Sequence, residues 1–477
     1  MPAAHASRFP VRRVDGARRG RGPLFLAILG AATLLPATVV AAAIPSVPDG
    51  FTITSFAAPP VASPATVGAD DITRLDGHDF VGFNNGVPKT GPLATGPQNS
   101  TVVEYNDDGT IANTFAVRGR VDGLGADAGN HRVIVTTNED GNSTIHTLEP
   151  AAATPVVDYT YSPNPSASAD TTNDNTLQSG GGTDAVQVIN GKIFVAASNP
   201  NTLVGAEPPV NPKATATFQV ALSQSGGANT ATLTPTFADD ATASVGGGGA
   251  GTTALALTDP DSNAEVPFFA PFYGGDYVLD GQADQQLIFV NGIDTAGSFG
   301  AGNLTQLPLK HDDPSNPGST LPAGVDDIRW SEGDGGSLIV VDGKSNTVYK
   351  ITGSFPAFQA FAALDTLGAN ADNAEVDALD PATGKLTPFA TGFGTAKGLL
   401  WVPNLGSEDT QGPPEEGGSG DPGHGNDGAD GDGGEGDHHG HGHHHGHTHR
   451  KSHHHARRAS RHRHHHGHAH NGRATHP

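Results

Sequence analysis

The sequence predicts an all-β fold, a six- or seven-bladed β-propeller of four-stranded antiparallel blades followed by a disordered C-terminal tail. Two observations support this prediction. The 477-residue chain contains 65 Gly and 36 Pro but only 35% hydrophobic residues, which favours short strands joined by turns over long helices. A pattern of four apolar runs also recurs along the chain, roughly every 50 to 70 residues, as expected for a repeat architecture.

Each repeat begins with an aspartate, passes through a turn with Gly or Asn, and continues into further alternating strands. The clearest openings are "ADDITRLDGHDFVGFNNG" from Ala69, "RVDGLGADAGNHRVIVTTNEDGN" from Arg120, "GTDAVQVINGKIFVAASNPN" from Gly182 and "VDDIRWSEGDGGSLIVVDGKSN" from Val325. The stretch 252–307 is a less regular copy. Such units, repeated radially, close into a ring that leaves few exposed edges. A pair of two-sheet sandwiches is the alternative.

Both ends of the repeat region indicate how the ring closes. "GFTITSFAA" from Gly50 predicts a lone outer strand, and "NAEVDALDPATGKLTPFATGF" predicts an outer hairpin around a turn at 380–384. "AKGLLWVP" from Ala396 predicts an inner strand, so we expect the two ends to share one blade. Trp330 and Trp401 follow apolar inner-strand runs and are expected to pack in the core.

The entries "VDDI" and "AKGLL", with "LIVVDGKSNTVYKI", resemble secreted bacterial propellers of the gluconolactonase, NHL and YVTN kind, over about residues 50 to 403. The resemblance implies the architecture, which hosts many unrelated functions. For calcium-dependent lactonase-like and phosphotriesterase-like members it implies an axial calcium held by a Glu, two Asn and an Asp. No unit of this chain begins with a Glu.

Composition shifts divide the chain into four predicted parts. Residues 1–43 contain six arginines, an apolar run and Ala41-Ala42-Ala43, which predicts a cleaved signal peptide and a secreted, extracellular protein, with association to the cell wall as an alternative. We expect a propeller domain over 44–405, an acidic Gly-rich disordered linker over 406–437, and a His/Arg-rich disordered tail over 438–477. After signal cleavage no membrane association is expected, and we expect a monomer.

Aspartates at the start of the predicted inner strands are candidate ligands of a hard cation. These are Asp71, Asp122, Asp184, Asp259 and Asp327. Inner strands line the channel of a propeller, so these carboxylates should converge, and calcium favours such oxygen-only sites. The competing interpretation is that each Asp only accepts hydrogen bonds from backbone N–H groups of a turn.

The tail carries the second candidate metal site. Its candidate ligands are the 17 histidines His438, His439, His441, His443, His444, His445, His447, His449, His453, His454, His455, His462, His464, His465, His466, His468 and His470. Closely spaced neutral imidazoles predict binding of zinc, nickel or copper. Protonation of all tail histidines would also make the tail cationic at mildly acidic pH, which predicts docking onto the propeller or onto an anionic cell-wall polymer.

Composition and motifs narrow the function classes. The chain has no cysteine, which excludes disulfides and thiolate metal sites. Residues 44–407 carry 13 Lys and Arg against 39 Asp and Glu, so nucleic acid is not an expected partner. His78, His131, His146 and His311 are expected to be surface or packing residues. The leading hypothesis is an exported binding protein for an unknown extracellular ligand, with a metal-binding tail. The alternatives are a calcium-dependent lactonase or esterase and a structural cell-surface interaction protein.

Overall fold

The computed structural model describes residues 44–60, 66–165, 182–198, 215–333, 335–368 and 375–404. The predicted signal peptide, linker and tail, with every tail histidine named above, lie outside these residues and stay predictions. Within the described part the chain is all-β apart from one short 3-10 helix. That part contains no helix of the length and apolarity that crossing a bilayer requires.

The first half of the chain holds a lone strand and three regular repeats. The strands are β1 (Phe51–Ala57), β2 (Ala69–Leu75), β3 (His78–Phe83), β4 (Asn99–Tyr105), β5 (Ile111–Arg118), β6 (Val121–Asp127), β7 (Arg132–Thr137), β8 (Thr144–Leu148), β9 (Val156–Ser162), β10 (Thr183–Ile189), β11 (Lys192–Ala197), β12 (Thr215–Ser225) and β13 (Ala228–Ala238), with the 3-10 helix at Ala128–Asn130.

The second half is less regular. Its strands are β14 (Thr242–Val245), β15 (Thr252–Ala254), β16 (Pro260–Glu265), β17 (Tyr277–Gly281), β18 (Gln286–Val290), β19 (Leu304–Pro308), β20 (Lys310–Asp312), β21 (Thr320–Trp330), β22 (Gly336–Asp342), β23 (Thr347–Gly353), β24 (Ala360–Leu367), β25 (Glu375–Asp380), β26 (Lys385–Thr391) and β27 (Ala396–Pro403).

Four repeats form the predicted antiparallel meanders. They are β2 to β5, β6 to β9, β10 to β13, and β16 to β19. The outer strands β9 and β13 also pair in parallel, which joins the second and third sheets, and β14 with β15 extends the fourth sheet at its outer edge. The stretch 252–307 is therefore a blade, as its pattern indicates.

Two-residue turns set the register of the first hairpin in two of these sheets. Asp76-Gly77 joins β2 to β3 and Asn190-Gly191 joins β10 to β11, and all four residues have positive φ. Asp-Gly and Asn-Gly adopt this left-handed backbone at little cost, and such turns match the twist of the flanking strands. The local sequence thus fixes which residues of the inner strand face which neighbours.

The last two sheets exchange a hairpin, and here the predicted unit is wrong. The sequence pattern places β21, β22, β23 and β24 in one blade. In the structure β21 pairs with β24, whereas β22 and β23 lie between β27 and β1 in the next sheet. Both faces of β22 are buried along its whole length, so its hydrophobic pattern cannot specify which strand it pairs with.

The two sheets that exchange the hairpin complete the ring. The sheet β27-β22-β23-β1 unites the first and last strands of the described chain, as predicted. The fifth sheet, β21-β24-β25-β26, is closed into a small barrel by β20, which pairs with both β21 and β26. Within the described ranges, the inner strands are β2, β6, β10, β16, β21 and β27, which follow one another side by side around the axis and return to β2.

The hydrophobic core lies between neighbouring sheets. One cluster joins Ile72, Val81 and Val103 of the first sheet to Ile339 and Val341 of the closing sheet. Equivalent clusters fill the other interfaces, and Trp330 and Trp401 are buried in two of them, as expected. Face-to-face packing holds the inner strands in place around the axis and gives the axial residues a fixed geometry.

Candidate axial cation site

Each inner strand carries an extra residue at the same place, near its start. The register with the second strand shifts between Ala69 and Ile72 in β2, and the shift recurs at the equivalent place in the other five inner strands. A bulge of this kind re-aims side chains that regular alternation would point into a sheet interface. Two consecutive residues of each inner strand therefore meet around the axis.

The first bulge position is acidic in five strands and basic in the sixth. Its residues are Asp70, Asp122, Asp184, Asp261, Asp326 and Lys397. The second position is small in four strands and acidic in two, with Asp71, Gly123, Ala185, Ser262, Asp327 and Gly398. A Cβ on Gly123 or Gly398 would meet the backbone of the neighbouring inner strand within 3.0 Å, so the ring closes tightly at this level.

Asp71 and Asp327 join neighbouring inner strands. Asp71 accepts hydrogen bonds from the backbone N–H of Ile72 at 2.7 Å and of Leu124, on the next strand, at 2.6 Å. Asp327 does the same with Ile328 and Leu399, and also accepts a bond from the Ser262 hydroxyl. These two aspartates are therefore backbone hydrogen-bond acceptors, but their donors lie on inner strands and not in turns; Asp122 also accepts a bond, from the Glu139 N–H at 3.1 Å.

A cavity of about 90 Å³ opens onto the ring. Nine carboxylates and three cationic groups line it; the carboxylates are Asp70, Asp71, Asp122, Glu139, Asp184, Asp259, Asp261, Asp326 and Asp327, and the cations are Lys89, Arg120 and Lys397. All five aspartates predicted from the sequence are present. Carboxylates outnumber the cations threefold, so the cavity has a strong excess of negative charge whenever they are ionised.

The cationic side chains form ion pairs with only some of the ring aspartates. Lys397 pairs with Asp326, and Arg120 contacts Asp122 at 2.9 Å and Asp70 at 3.5 Å. Lys89, whose side chain is 55% exposed, reaches Glu139 at 2.7 Å. Among the described residues no Lys or Arg forms an ion pair with Asp184 or Asp261.

Asp184 and Asp261, the two ring aspartates without an ion pair in the described part of the chain, lie close to each other and to Glu139, which Lys89 and Arg120 contact at 2.7 Å and 3.6 Å. Glu139, Asp184 and Asp261 each place an oxygen within 4.8 Å of the others. Asp184 Oδ2 is buried and has no hydrogen-bond partner in the described part of the protein. Two oxygens that both lie about 2.3 to 2.6 Å from one calcium ion are at most about 5 Å apart. The three groups therefore fit a single calcium-sized cation.

Burial and mutual repulsion make these acids weak. Burial raises the pKa of Asp70 to about 6, although Lys397 and Arg120 act to lower it. Burial, followed by the charge of Asp327, raises the pKa of Asp71 to about 8. Burial and neighbouring carboxylates hold the pKa of Asp184 and of Asp261 well above the usual range. Either protons or a metal cation must offset this charge at neutral pH.

The shared axial position differs by one residue from the expected one in two strands. Asp122 and Asp184 occupy it as predicted, but Asp70 and Asp326 fill it in place of Asp71 and Asp327, because the bulge selects the first Asp of each Asp-Asp pair. Asp259 precedes β16 and lines the cavity, while Asp261 takes the ring position. Glu139 follows β7, away from the repeated aspartate position, so the repeat pattern did not predict it as a cavity residue. In the sixth strand, Lys397 occupies the ring position instead of an aspartate, and the strand entry "AKGLL" contains this lysine.

The four histidines of the propeller lie apart from the axial cavity. His131 is exposed and contacts Asp76, and His146 is buried with its Nδ1 at 2.8 Å from Asp158. His78 lies 3.4 Å from Glu104. His311 lies inside the fifth sheet beside two acidic residues.

The chain matches no protein-family model and no curated protein. It is similar to solved structures at low identity. One is a putative gluconolactonase, with 10% identity, 75% of this chain and 90% of that chain covered, and a TM-score of 0.38. Another is the β-propeller domain of a Myceliophteria thermophila protein, with 8% identity, coverage of 68% and 97%, and a TM-score of 0.32. A putative 6-phosphogluconolactonase from Bacteroides uniformis has 12% identity, coverage of 68% and 85%, and a TM-score of 0.31.

Proposed function

We propose that this β-propeller binds a hard divalent cation, calcium foremost, at the axial site, and that the cation in turn binds an oxygen-rich extracellular ligand at the mouth of the cavity. The observation that supports this proposal is the cluster of Glu139, Asp184 and Asp261, with a buried, unpartnered oxygen on Asp184. Oxygen-only donors favour calcium over zinc or copper.

The surrounding charges fit this role. Lys397 and Arg120 pair with the Asp326, Asp70 and Asp122 part of the ring, which leaves the Asp184 and Asp261 part for a mobile cation. A bound calcium would offset the repulsion that otherwise forces protons onto these acids. Lys89 and Arg120 both contact Glu139, and a bound cation would displace the 55% exposed side chain of Lys89 toward solvent.

Calorimetric titration of the full-length chain with calcium, after dialysis against a chelator, tests the proposal. We expect one calcium per chain in the wild type and binding at least about tenfold weaker in the double variant Asp184→Asn and Asp261→Asn. Asp312→Asn, with a side chain 61% exposed, is the matched control and should bind like the wild type. Equal calcium affinity in the double variant would refute the axial site.

A second candidate function is calcium-dependent hydrolysis of a lactone or ester. Asp259 favours it, because this residue lines the cavity, is partly exposed and has its pKa raised to about 6 by burial and by the charge of Glu139. A carboxylate with that pKa suits a general base at neutral pH, and a bound cation would polarise the carbonyl oxygen. Asp259→Asn should then abolish hydrolysis of a lactone panel while calcium still binds. If calcium-saturated wild-type protein hydrolyses none of the panel, the hydrolase proposal fails.

For the tail we propose reversible binding of zinc, nickel or copper, because closely spaced imidazoles are ligands of these ions. The 17 histidines from His438 to His470 lie among Gly, Ser and Arg, so many sets of three or four can surround one ion. In the full-length chain, replacing these histidines with Asn should remove most of the zinc or nickel bound and leave calcium binding unchanged. Retention of the same amount of zinc would contradict this role.

A further inference from the structure

A second group of metal-binding side chains lies inside the small barrel of the fifth sheet. It consists of His311 on β20 and of Glu375 and Asp377 on β25. None of the three lines the axial cavity. Glu375 and Asp377 are two residues apart on one strand, so their side chains point to the same face. His311 lies on the strand that closes the barrel.

The three groups converge within metal-ligand range. His311 Nε2 lies 3.7 Å from Glu375 Oε1 and 3.8 Å from Asp377 Oδ2. Both separations are too long for hydrogen bonds. Two ligand atoms that each lie about 2.1 Å from one zinc ion are at most about 4.2 Å apart, so a zinc ion fits between His311 Nε2 and either carboxylate. All three ligand atoms lie within 4.8 Å of one another.

The histidine is held in the tautomer that a metal requires. Its Nδ1 lies 2.7 Å from the backbone oxygen of Asp312, to which the Nδ1–H donates. The lone pair of Nε2 is thereby directed at the two carboxylates. A backbone carbonyl on the far nitrogen of a ligating histidine is the usual second contact at a metal centre, since it fixes the ring and raises its basicity.

Burial makes the cluster costly unless a cation occupies it. Asp377 is completely buried and neither of its oxygens has a hydrogen-bond partner among the described residues. His311 is 6% exposed, and its Nε2 is also without a partner there. No Lys or Arg in the described part of the chain pairs with either carboxylate; the nearby Lys385 pairs with Asp312. Buried polar atoms normally have partners, so these orphaned atoms point to a missing one.

We propose that His311, Glu375 and Asp377 form a metal site for a zinc-class transition ion, distinct in chemistry and place from the axial site. One imidazole nitrogen and two carboxylates are a donor set that zinc accepts. Calcium is disfavoured because it takes oxygen ligands, and three protein ligands are too few for it. The site is structural in position, because the ion would tie β20 to β25 and so hold the barrel closed.

The test uses the full-length chain with its 17 tail histidines from His438 to His470 replaced by Asn, so that zinc on the tail does not obscure the count. After zinc loading and washing with a weak chelator, we expect one zinc ion per chain by elemental analysis. His311→Gln in the same background should weaken zinc binding by more than about 100-fold, since removal of outer partners alone costs 10- to 100-fold. Asp312→Asn, which keeps the backbone oxygen, should retain the ion.

A measurement on the unsubstituted site separates loss of the ion from loss of the fold. Anomalous scattering at the zinc edge, from crystals of the zinc-loaded chain, should place a peak within about 2.3 Å of His311 Nε2. Absence of a peak at His311, or no zinc retained after the wash, overturns the proposal. His311→Gln is expected to leave calcium binding at the axis unchanged. The proposals for the two metal sites can therefore be refuted independently of each other.

Discussion

Replacement of Lys397 by Met should destabilise the calcium-free protein and be partly rescued by calcium. Lys397 is the basic member of a ring with five aspartates, pairs with the partly buried Asp326, and lies near Asp70 and Asp261. Burial acts to lower the pKa of Lys397, but these carboxylates outweigh it and hold the pKa above the usual range. Its ammonium therefore stays charged and offsets the repulsion among them.

The expected size follows from burial. Breaking a buried ion pair by removing one partner costs about 3 to 5 kcal/mol, and the 27% exposure of the Lys397 side chain places the cost near the lower end. For a domain of about 360 residues the entropy of unfolding is about 0.75 kcal/mol per degree. A loss of about 3 kcal/mol then lowers Tm by about 4 °C, which differential scanning calorimetry in a chelator measures.

Lys385→Met is the matched control. Lys385 and its partner Asp312 are 42% and 61% exposed, and an exposed pair of this kind contributes under about 1 kcal/mol. Saturating calcium should restore part of the Tm of Lys397→Met, because it supplies another positive charge to the ring. If Lys397→Met melts like Lys385→Met in the chelator, the ring carboxylates are protonated and the electrostatic reasoning is wrong.

Three further predictions follow from the same geometry. In a chelator, the free energy of unfolding measured with urea should fall from pH 5 to pH 8. In the folded state the pKa is about 6 for Asp70 and Asp259 and about 8 for Asp71, against 3.8 for an ordinary Asp. The folded state therefore binds these protons more tightly than the unfolded state, and between the two pKa values it loses up to about 1.4 kcal/mol per pH unit for each group. Calcium should flatten that slope, and a slope unchanged by calcium would contradict the axial site. Asp71→Ala should lower the free energy of unfolding in urea by about 1 to 3 kcal/mol, because it leaves the Leu124 N–H without its acceptor. The control Asp107→Ala, at an exposed side chain, should lower it by under about 0.5 kcal/mol. Equal losses in the two variants would contradict the role of Asp71 in joining the inner strands. Gly336→Ala should lower the free energy of unfolding by about 1 to 3 kcal/mol, because a Cβ there would meet Trp401 at 2.2 Å. Gly333→Ala is the control, since a Cβ there would meet no atom within 4 Å. An equal loss in both variants would show that the contact with Trp401 does not decide the result.

Local patterns in the sequence predicted most of the fold. Alternating apolar residues and the Asp76-Gly77 and Asn190-Gly191 turns specify hairpins whose strands follow one another, and four sheets conform to them. The exchanged hairpin was missed because β22 is apolar on both faces and pairs equally well, by pattern, with β21 or β27. Partner choice between two such strands is a tertiary property.

The candidate axial site was predictable in kind but not in register. Asp-Asp at 70–71 and at 326–327 leaves two choices, and a bulge, which inserts one residue without a sequence signature, decides between them. The positions of Glu139 in the cavity and of His311 beside Glu375 and Asp377 were not predicted for a different reason. Glu139 reaches the cavity from the end of a second strand, and the partners of His311 are more than 60 residues away along the chain, so only the folded topology brings them together.

The exchanged hairpin also constrains the order in which the ring is assembled during synthesis. β23 pairs with β1, so the closing sheet can begin to form once residue 353 has been made. At that stage β21 still lacks its partner β24, and β22 still lacks β27. β1 and β23 can therefore pair before the fifth sheet exists, and the closing sheet is completed last, because β27 follows every strand of the fifth sheet. Neither sheet is an independent folding unit, and a chain that stops after β23 leaves both with unpaired edges.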